Sequence, residues 1–258
     1  MRISTGHGPW AIGHGQNTHQ RKRAAFLLPV LLLTTVSLGA QVSFDRLLQA
    51  DREPQNWLTY SGTYLGQRYS QLAQITPDNV KALELQWVFQ ARSTEKYEAT
   101  ALVVDGVMYT VQAPNDIVAL DATTGRTFWQ YSYRPAPESR PCCGRVNRGV
   151  AILGDTLFMG TIDGHLVAVD AKTGSLIWDT AVAKPEAGYS LTHAPLVVKD
   201  KVIVGTAGGE YGIRGSSQPT TPRPARRRGA STRFRDPANP GTTPGPATRG
   251  SGVAARSG

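Results

Sequence analysis

Cysteine is almost absent from the 258 residues: two occur, and they are neighbours, Cys142 and Cys143. Any thiol or disulfide chemistry in the chain therefore rests on that pair. Long apolar runs are missing too. The best candidate, residues 24–33, is too short to span a bilayer comfortably, which takes about 20 apolar residues. Acidic residues are outnumbered, 19 against 28 Lys and Arg, for a net charge of +9. Yet residues 1–23 carry +4 and residues 215–258 carry +7, which leaves the middle at −2. Basic proteins of this kind invite a nucleic-acid reading, but a slightly acidic middle offers no basic face, so no nucleic-acid partner is expected. The remaining composition, 40% hydrophobic and 8% aromatic, is that of an ordinary globular protein.

The first 40 residues read as an address. Arg21-Lys22-Arg23 precedes the apolar run, and Leu38-Gly39-Ala40 leads into polar Gln41, the pattern of a basic n-region, an h-region and a small residue at a cleavage site. Leu38 is larger than such sites prefer. The expectation is export to the periplasm, with membrane association only through this segment while it is uncleaved. Export also places the cysteines where a disulfide persists. Residues 1–20, with His7, His14 and His19, show no periodicity.

Beyond the leader, Val42, Phe44, Leu47 and Leu48 fall at helical spacing and predict a short helix over 41–51 that stops near Pro54. Residues 83–90 alternate around Leu85, Trp87 and Phe89 and predict a strand. Then the chain repeats. Residues 101–109 read as two strands about Asp105-Gly106; residues 117–121, the turn Thr124-Gly125 and Phe128-Trp129 follow. A second copy runs through 149–158, Asp163-Gly164, 166–170, Thr173-Gly174 and Trp178, and a third begins at Ala194. Ala-x-Asp-x-x-Thr-Gly-x-x-x-Trp occurs twice, with its tryptophans 49 positions apart. Four short strands per unit fit the blade of a β-propeller. The tryptophans are expected to pack between blades, and the Asp-x-x-Thr-Gly segments to be turns, since Asp caps its own backbone and Gly accepts positive φ.

Adjacent Cα atoms lie about 3.8 Å apart, below the usual disulfide range, so a bridge between Cys142 and Cys143 would be a tight ring of the kind that tends to be labile or functional. Two free thiols behaving as small hydrophobes are the other reading.

From about residue 54 to residue 215 the chain resembles the pyrroloquinoline quinone (PQQ) dehydrogenases, and three motifs carry the likeness to their alcohol dehydrogenase branch. They are Pro54-Gln55-Asn56-Trp57 with Gln67-Arg68-Tyr69-Ser70, Cys142-Cys143 with Asn147-Arg148-Gly149, and Gly208-Gly209-Glu210 with Gly212-Ile213-Arg214-Gly215. The resemblance implies an all-β fold, a partial propeller of two to three blades out of about eight. It implies a disulfide ring of Cys142 and Cys143 on one face of PQQ, with Arg148 and Thr192 meeting the cofactor's carboxylates, Glu98 as another contact, and Gly208 and Gly209 letting backbone approach the ring edge. Glu210 matches a ligand of the calcium ion that bridges protein and quinone, a hard oxygen donor for a hard cation; a lanthanide is an alternative. Position 207 is Ala207 where relatives carry serine. The implied reaction oxidises a primary alcohol: a metal polarises the quinone carbonyl, an aspartate removes the hydroxyl proton, hydride passes to the quinone and electrons leave to a cytochrome c. A propeller fragment acting as a scaffold or interaction module is the other function class.

The likeness ends near Gly215. Residues 216–258, rich in Pro, Arg, Gly, Ser and Thr, read alone as a disordered basic tail. Read one base earlier, the codons for 231–240 are compatible with Phe-Tyr-Thr-Ile-Pro-Gly-Pro-Gly-Glu-Pro, a family segment, so a frameshift is expected. The organisation anticipated is 1–40 leader, 41–215 partial propeller and 216–258 tail. The catalytic aspartate of the family lies beyond the matched region, so no catalytic residue is assigned and the chain alone is expected to be inactive.

Overall fold

The computed structural model describes residues 42–221; the leader and most of the tail lie outside the described residues. Among those described, no helix is long and apolar enough to cross a membrane.

The repeats fold as antiparallel meanders. The first sheet runs β1 (Leu102–Val104), β2 (Val107–Gln112), β3 (Asp116–Asp121), β4 (Thr127–Ser132) in spatial as well as chain order. The second runs β5 (Ala151–Leu153), β6 (Thr156–Gly160), β7 (His165–Asp170), β8 (Leu176–Ala181). Both slip register at the same place, Ala119/Leu120 and Ala168/Val169. Buried apolar side chains such as Leu102, Ile117, Leu157, Phe158 and Val167 form one core across the sheets. The turns use the expected chemistry. Asp105 and Gly106 both take positive φ, as a two-residue hairpin turn requires. The Asp121 carboxylate accepts from the N–H groups of Thr123 and Thr124 at 2.8 and 3.1 Å, and Asp170 does the same for Lys172 and Thr173 at 2.9 and 2.8 Å.

Trp129 packs between sheets, as the period of the tryptophans suggests. Trp129 stands beside Tyr109 of its own sheet, ring centroids 6.0 Å apart, and covers Gly174 of the next. Gly174 has φ +73°, and a Cβ there would enter the indole ring. Trp87 makes the same contact with Gly125, and its indole N–H donates to the Ala122 carbonyl at 3.3 Å.

Two expectations change. Residues 83–90 are not a strand: among the described residues they pair with nothing, and Leu85 is 81% exposed. Trp87 is held by Gly125, but the backbone around it has no neighbouring strand to complete a ladder. The second change lies past residue 215. β9 (Leu196–Val198) and β10 (Lys201–Gly205) are joined by β11 (Ser217–Thr220), which pairs with β10 from Gly205↔Ser217 to Val202↔Thr220. Pro219 is tolerated because β11 is an edge strand, where a lost N–H breaks no ladder on the outer side.

The predicted N-terminal helix is α1 (Phe44–Leu48), whose first turn is capped by the Ser43 hydroxyl accepting from Arg46 N–H at 3.1 Å. A 3-10 turn at Ala50–Arg52 ends it before Pro54. Backbone bridges Val42↔Gly154 and Trp57↔Val103 tie this segment to both four-stranded sheets. Arg46 fastens it further, pairing with Glu53 at 2.7 Å and Asp105 at 2.5 Å while Asn56 bonds to both carboxylates. Hydrogen bonds from Arg46 hold both carboxyls below their ordinary range.

Two outcomes follow for stability. Gly174→Ala should cost roughly 2–4 kcal/mol in urea denaturation, because overpacking adds to positive-φ strain; Gly66→Ala, also at positive φ but with open space around it, should cost only about 1 kcal/mol. Glu53 and Asp105 have depressed folded pKa values, so their contribution is present at neutral pH and is lost as pH falls through those values. Arg46→Met should therefore cost about 1–3 kcal/mol at pH 7, and denaturation curves of variant and parent should converge on acidification below about pH 4.

Candidate functional site

An antiparallel meander alternates ends, so connections entering a first strand and turns joining second to third strands share one face. Four segments meet there. They are residues 91–101 before β1, 133–150 between β4 and β5, 182–195 between β8 and β9, and 206–216 between β10 and β11. The corresponding β2–β3 turn holds only three residues, 113–115; the eleven of 206–216 are what carry Gly208, Gly209 and Glu210 outward.

Asn147 anchors the cysteine loop. It is 1% exposed, its amide donates to the Gly160 carbonyl at 2.8 Å, and its side-chain oxygen accepts from Gly149 N–H at 2.9 Å. Gly149 has φ +130° and passes so close to Thr100 that a Cβ would lie 2.9 Å from its carbonyl oxygen. Between them Arg148 is laced into both neighbouring segments: its N–H donates to Thr192 O and its carbonyl accepts from Thr100 N–H, each at 3.1 Å. The guanidinium is thereby aimed at Glu98, 2.9 Å away, and donates to the Thr192 hydroxyl at 3.1 Å. Glu98, Arg148 and Thr192, distant in sequence, are in direct contact.

Cys142 and Cys143 are bonded to each other, which settles the two readings of the pair in favour of the disulfide. Their sulfurs and a Glu210 carboxylate oxygen lie within 4.8 Å of one another, all three residues exposed. With Arg148, Thr192 and Gly208 they line a cavity of about 150 Å³. Gly208 has φ +133°, and the place of its Cβ is taken by the Gly188 carbonyl and the Ile213 side chain, so its glycine is required by the protein's own packing. Gly209 has nothing within 4 Å of that position and leaves open space. Ala207 is fixed through its backbone, which exchanges two hydrogen bonds with Ser190 at 2.8 and 3.2 Å.

Some neighbours escape a sequence reading. Lys96 donates to the Cys143 carbonyl at 3.3 Å, and the Tyr211 hydroxyl donates to the Arg140 carbonyl at 2.7 Å. Lys96 sits in a Glu-Lys pair that looks like any solvated charge, and Tyr211 carries no signal beyond its place after Glu210. His193 is structural: its Nε2 accepts from Gly205 N–H at 3.0 Å, and burial, reinforced by Arg148, pushes its pKa down. His165 pairs with Asp179 at 2.7 Å.

The family of glucose/ethanol/alcohol dehydrogenase β-propeller domains, the PQQ repeat, matches residues 57–220. The chain is 41% identical over 195 residues to quinohemoprotein alcohol dehydrogenase ADH IIB of Pseudomonas putida, covering 75% of this chain and 28% of that protein. It is 40% identical over 229 residues to a 1-butanol dehydrogenase (cytochrome c) of Thauera butanivorans, covering 87% and 29%. A europium-containing methanol dehydrogenase of known structure superposes with a TM-score of 0.66 at 39% identity, covering 69% of this chain and 32% of that one. The chain thus belongs to the PQQ family of glucose/ethanol/alcohol dehydrogenase β-propeller domains and has that propeller fold over the matched residues. It spans under a third of the length of these relatives.

Asn147→Ala should cost about 1–3 kcal/mol in denaturant unfolding, since it orphans the buried Gly149 N–H and leaves the Gly160 carbonyl with the Asn115 amide alone of its two side-chain donors. Arg148→Ala, at the half-exposed rim, should cost under about 1 kcal/mol.

Proposed function

We propose that this chain forms one wall of the cofactor site of an exported PQQ- and calcium-dependent alcohol dehydrogenase that oxidises primary alcohols. The observation that carries the reading is the placement of the exposed disulfide beside Glu210 and near the Glu98, Arg148 and Thr192 cluster, all on one face. The donor set fits the group. PQQ bears three carboxylic acids and a planar ring, and the face offers a guanidinium, a hydroxyl and a flat, uncharged disulfide. Arg148 is preorganised: Glu98 and Thr192 hold it before any ligand arrives, which lowers the ordering cost of binding a carboxylate. Glu210 offers the hard oxygen that Ca²⁺ or a lanthanide prefers; the europium in a structural neighbour supports the second. A cavity of about 150 Å³ is smaller than sites that enclose a ligand, about 300 Å³ and above, so these residues cover one side only.

When bound, the quinone accepts the electrons of the alcohol. The chain's own contribution would be to seat it: the disulfide would support the ring, Arg148 and Thr192 would hold its carboxylates, and Glu210 would supply an oxygen ligand to the metal. The name of the Thauera relative supports a cytochrome c as the eventual acceptor. The leader supports a periplasmic location. The family's proton acceptor is not assigned to any residue here, and the chain by itself is proposed to be inactive.

The test is a PQQ titration of the purified chain with Ca²⁺ or La³⁺, read by quinone absorbance. Binding should occur and should weaken roughly tenfold to a hundredfold in Arg148→Ala, with no alcohol-dependent dye reduction. No binding to the chain or to any longer product containing it would favour a scaffold propeller; dye reduction by the chain alone would overturn its inactivity.

A further inference from the structure

We infer that opening the disulfide turns the same corner of the face into a soft-cation site, with Cys142 and Cys143 thiolates and the Glu210 carboxylate as ligands for Cd²⁺ or Zn²⁺. The inference rests on the juxtaposition of these three groups and does not require quinone binding. Their ligand atoms already lie within 4.8 Å of one another, and all three residues are exposed, so both a reductant and a cation reach them. Because the cysteines are neighbours whose sulfurs are bonded, both thiolates remain on one side of the loop after opening. A tetrahedral ion with metal–sulfur bonds of about 2.3 Å sets two thiolates about 3.8 Å apart, a small separation for side chains free to rotate at the surface. Glu210 needs to approach by only about 1 Å to reach the metal–oxygen distance of about 2.0–2.2 Å.

Charge favours the change of ligand type. In the disulfide the sulfurs are neutral and poor donors, and Glu210 is a hard ligand alone. In the dithiolate, two soft anions join it, a set that selects Zn²⁺ or Cd²⁺ over Ca²⁺. The step balances with a phosphine as reductant. The S–S bond breaks, two thiols form, the phosphine takes the oxygen of one water to become its oxide, and the two hydrogens of that water go to the sulfurs. The cation then displaces both thiol protons to solvent. Reoxidation by dioxygen, which takes the two electrons and with two protons from solvent leaves as hydrogen peroxide, re-forms the S–S bond, removes two of three ligands and releases the ion, which makes the site redox-gated.

The experiment reduces the purified chain with a trialkylphosphine, removes excess reagent without oxygen, and titrates with CdCl₂. The readout is the ultraviolet thiolate-to-cadmium absorption, which does not report His7, His14 or His19. One Cd²⁺ per reduced chain is expected and none for the oxidised chain. Cys142→Ser and Cys143→Ser should each abolish the band's saturation at one equivalent, and Glu210→Gln should weaken binding about tenfold or more with an unchanged far-ultraviolet circular dichroism spectrum. An equal response from the oxidised chain, no band after reduction, or unchanged affinity in Glu210→Gln would overturn the site. The PQQ titration above is run on the oxidised chain, so the failure of either reading is seen separately.

Discussion

A tryptophan laid over a glycine of the next repeat is the contact on which the rest depends. Trp87 covers Gly125 and Trp129 covers Gly174. Each indole fills the space a side chain would need, and each glycine has a positive φ that other residues adopt only with strain. The spacing between repeats is thus set by close packing of a large rigid ring against bare backbone, a steric fit with little slack. Without it the sheets would still be meanders sharing a core and loop hydrogen bonds, but the close seat that sets the spacing of one against its neighbour would be lost.

Those loops turn fixed spacing into chemistry. The connections ahead of β1, β5 and β9 are stitched together through Thr100, Arg148 and Thr192 by backbone hydrogen bonds at 3.1 Å, and Asn147 holds the same loop to the end of β6. The polar side chains follow: Arg148 reaches Glu98 and Thr192 because its own backbone is already pinned between theirs. The third sheet contributes differently, through an enlarged β10–β11 connection. His193 bonds Gly205 at the point where that connection leaves the sheet. The resulting face carries the Arg148–Glu98 ion pair and the disulfide beside Glu210, on loops held by backbone and buried hydrogen bonds.

Much of this is legible in the sequence, for physical reasons. Asp105-Gly106 and the two Asp-x-x-Thr-Gly turns announce where the chain reverses, and the tryptophan period announces the repeat. The adjacent cysteines mark the site, because no packing argument alone explains them. Residues 83–90 mislead because alternation reports which faces an extended segment presents, and a ladder also needs a neighbouring strand. Ser217–Thr220 is missed because composition around Pro219 signals disorder, while an edge strand only has to satisfy one side. Gly208 is recognisable as necessary, but its reason, the Gly188 carbonyl and Ile213 filling its Cβ space, is visible only in three dimensions. So is Lys96, whose partner is a carbonyl 47 residues away.

The most direct measurement is a crystal structure of the chain phased or checked with sulfur anomalous scattering, which locates Cys142 and Cys143 independently of the fold assigned around them. The account predicts bonded sulfurs within 4.8 Å of the Glu210 carboxylate, on the end of the sheets where Arg148 meets Glu98, with Trp129 over Gly174. Sulfurs at the opposite end of the sheets from Glu210, or a Trp129 ring turned away from the second repeat, would contradict it.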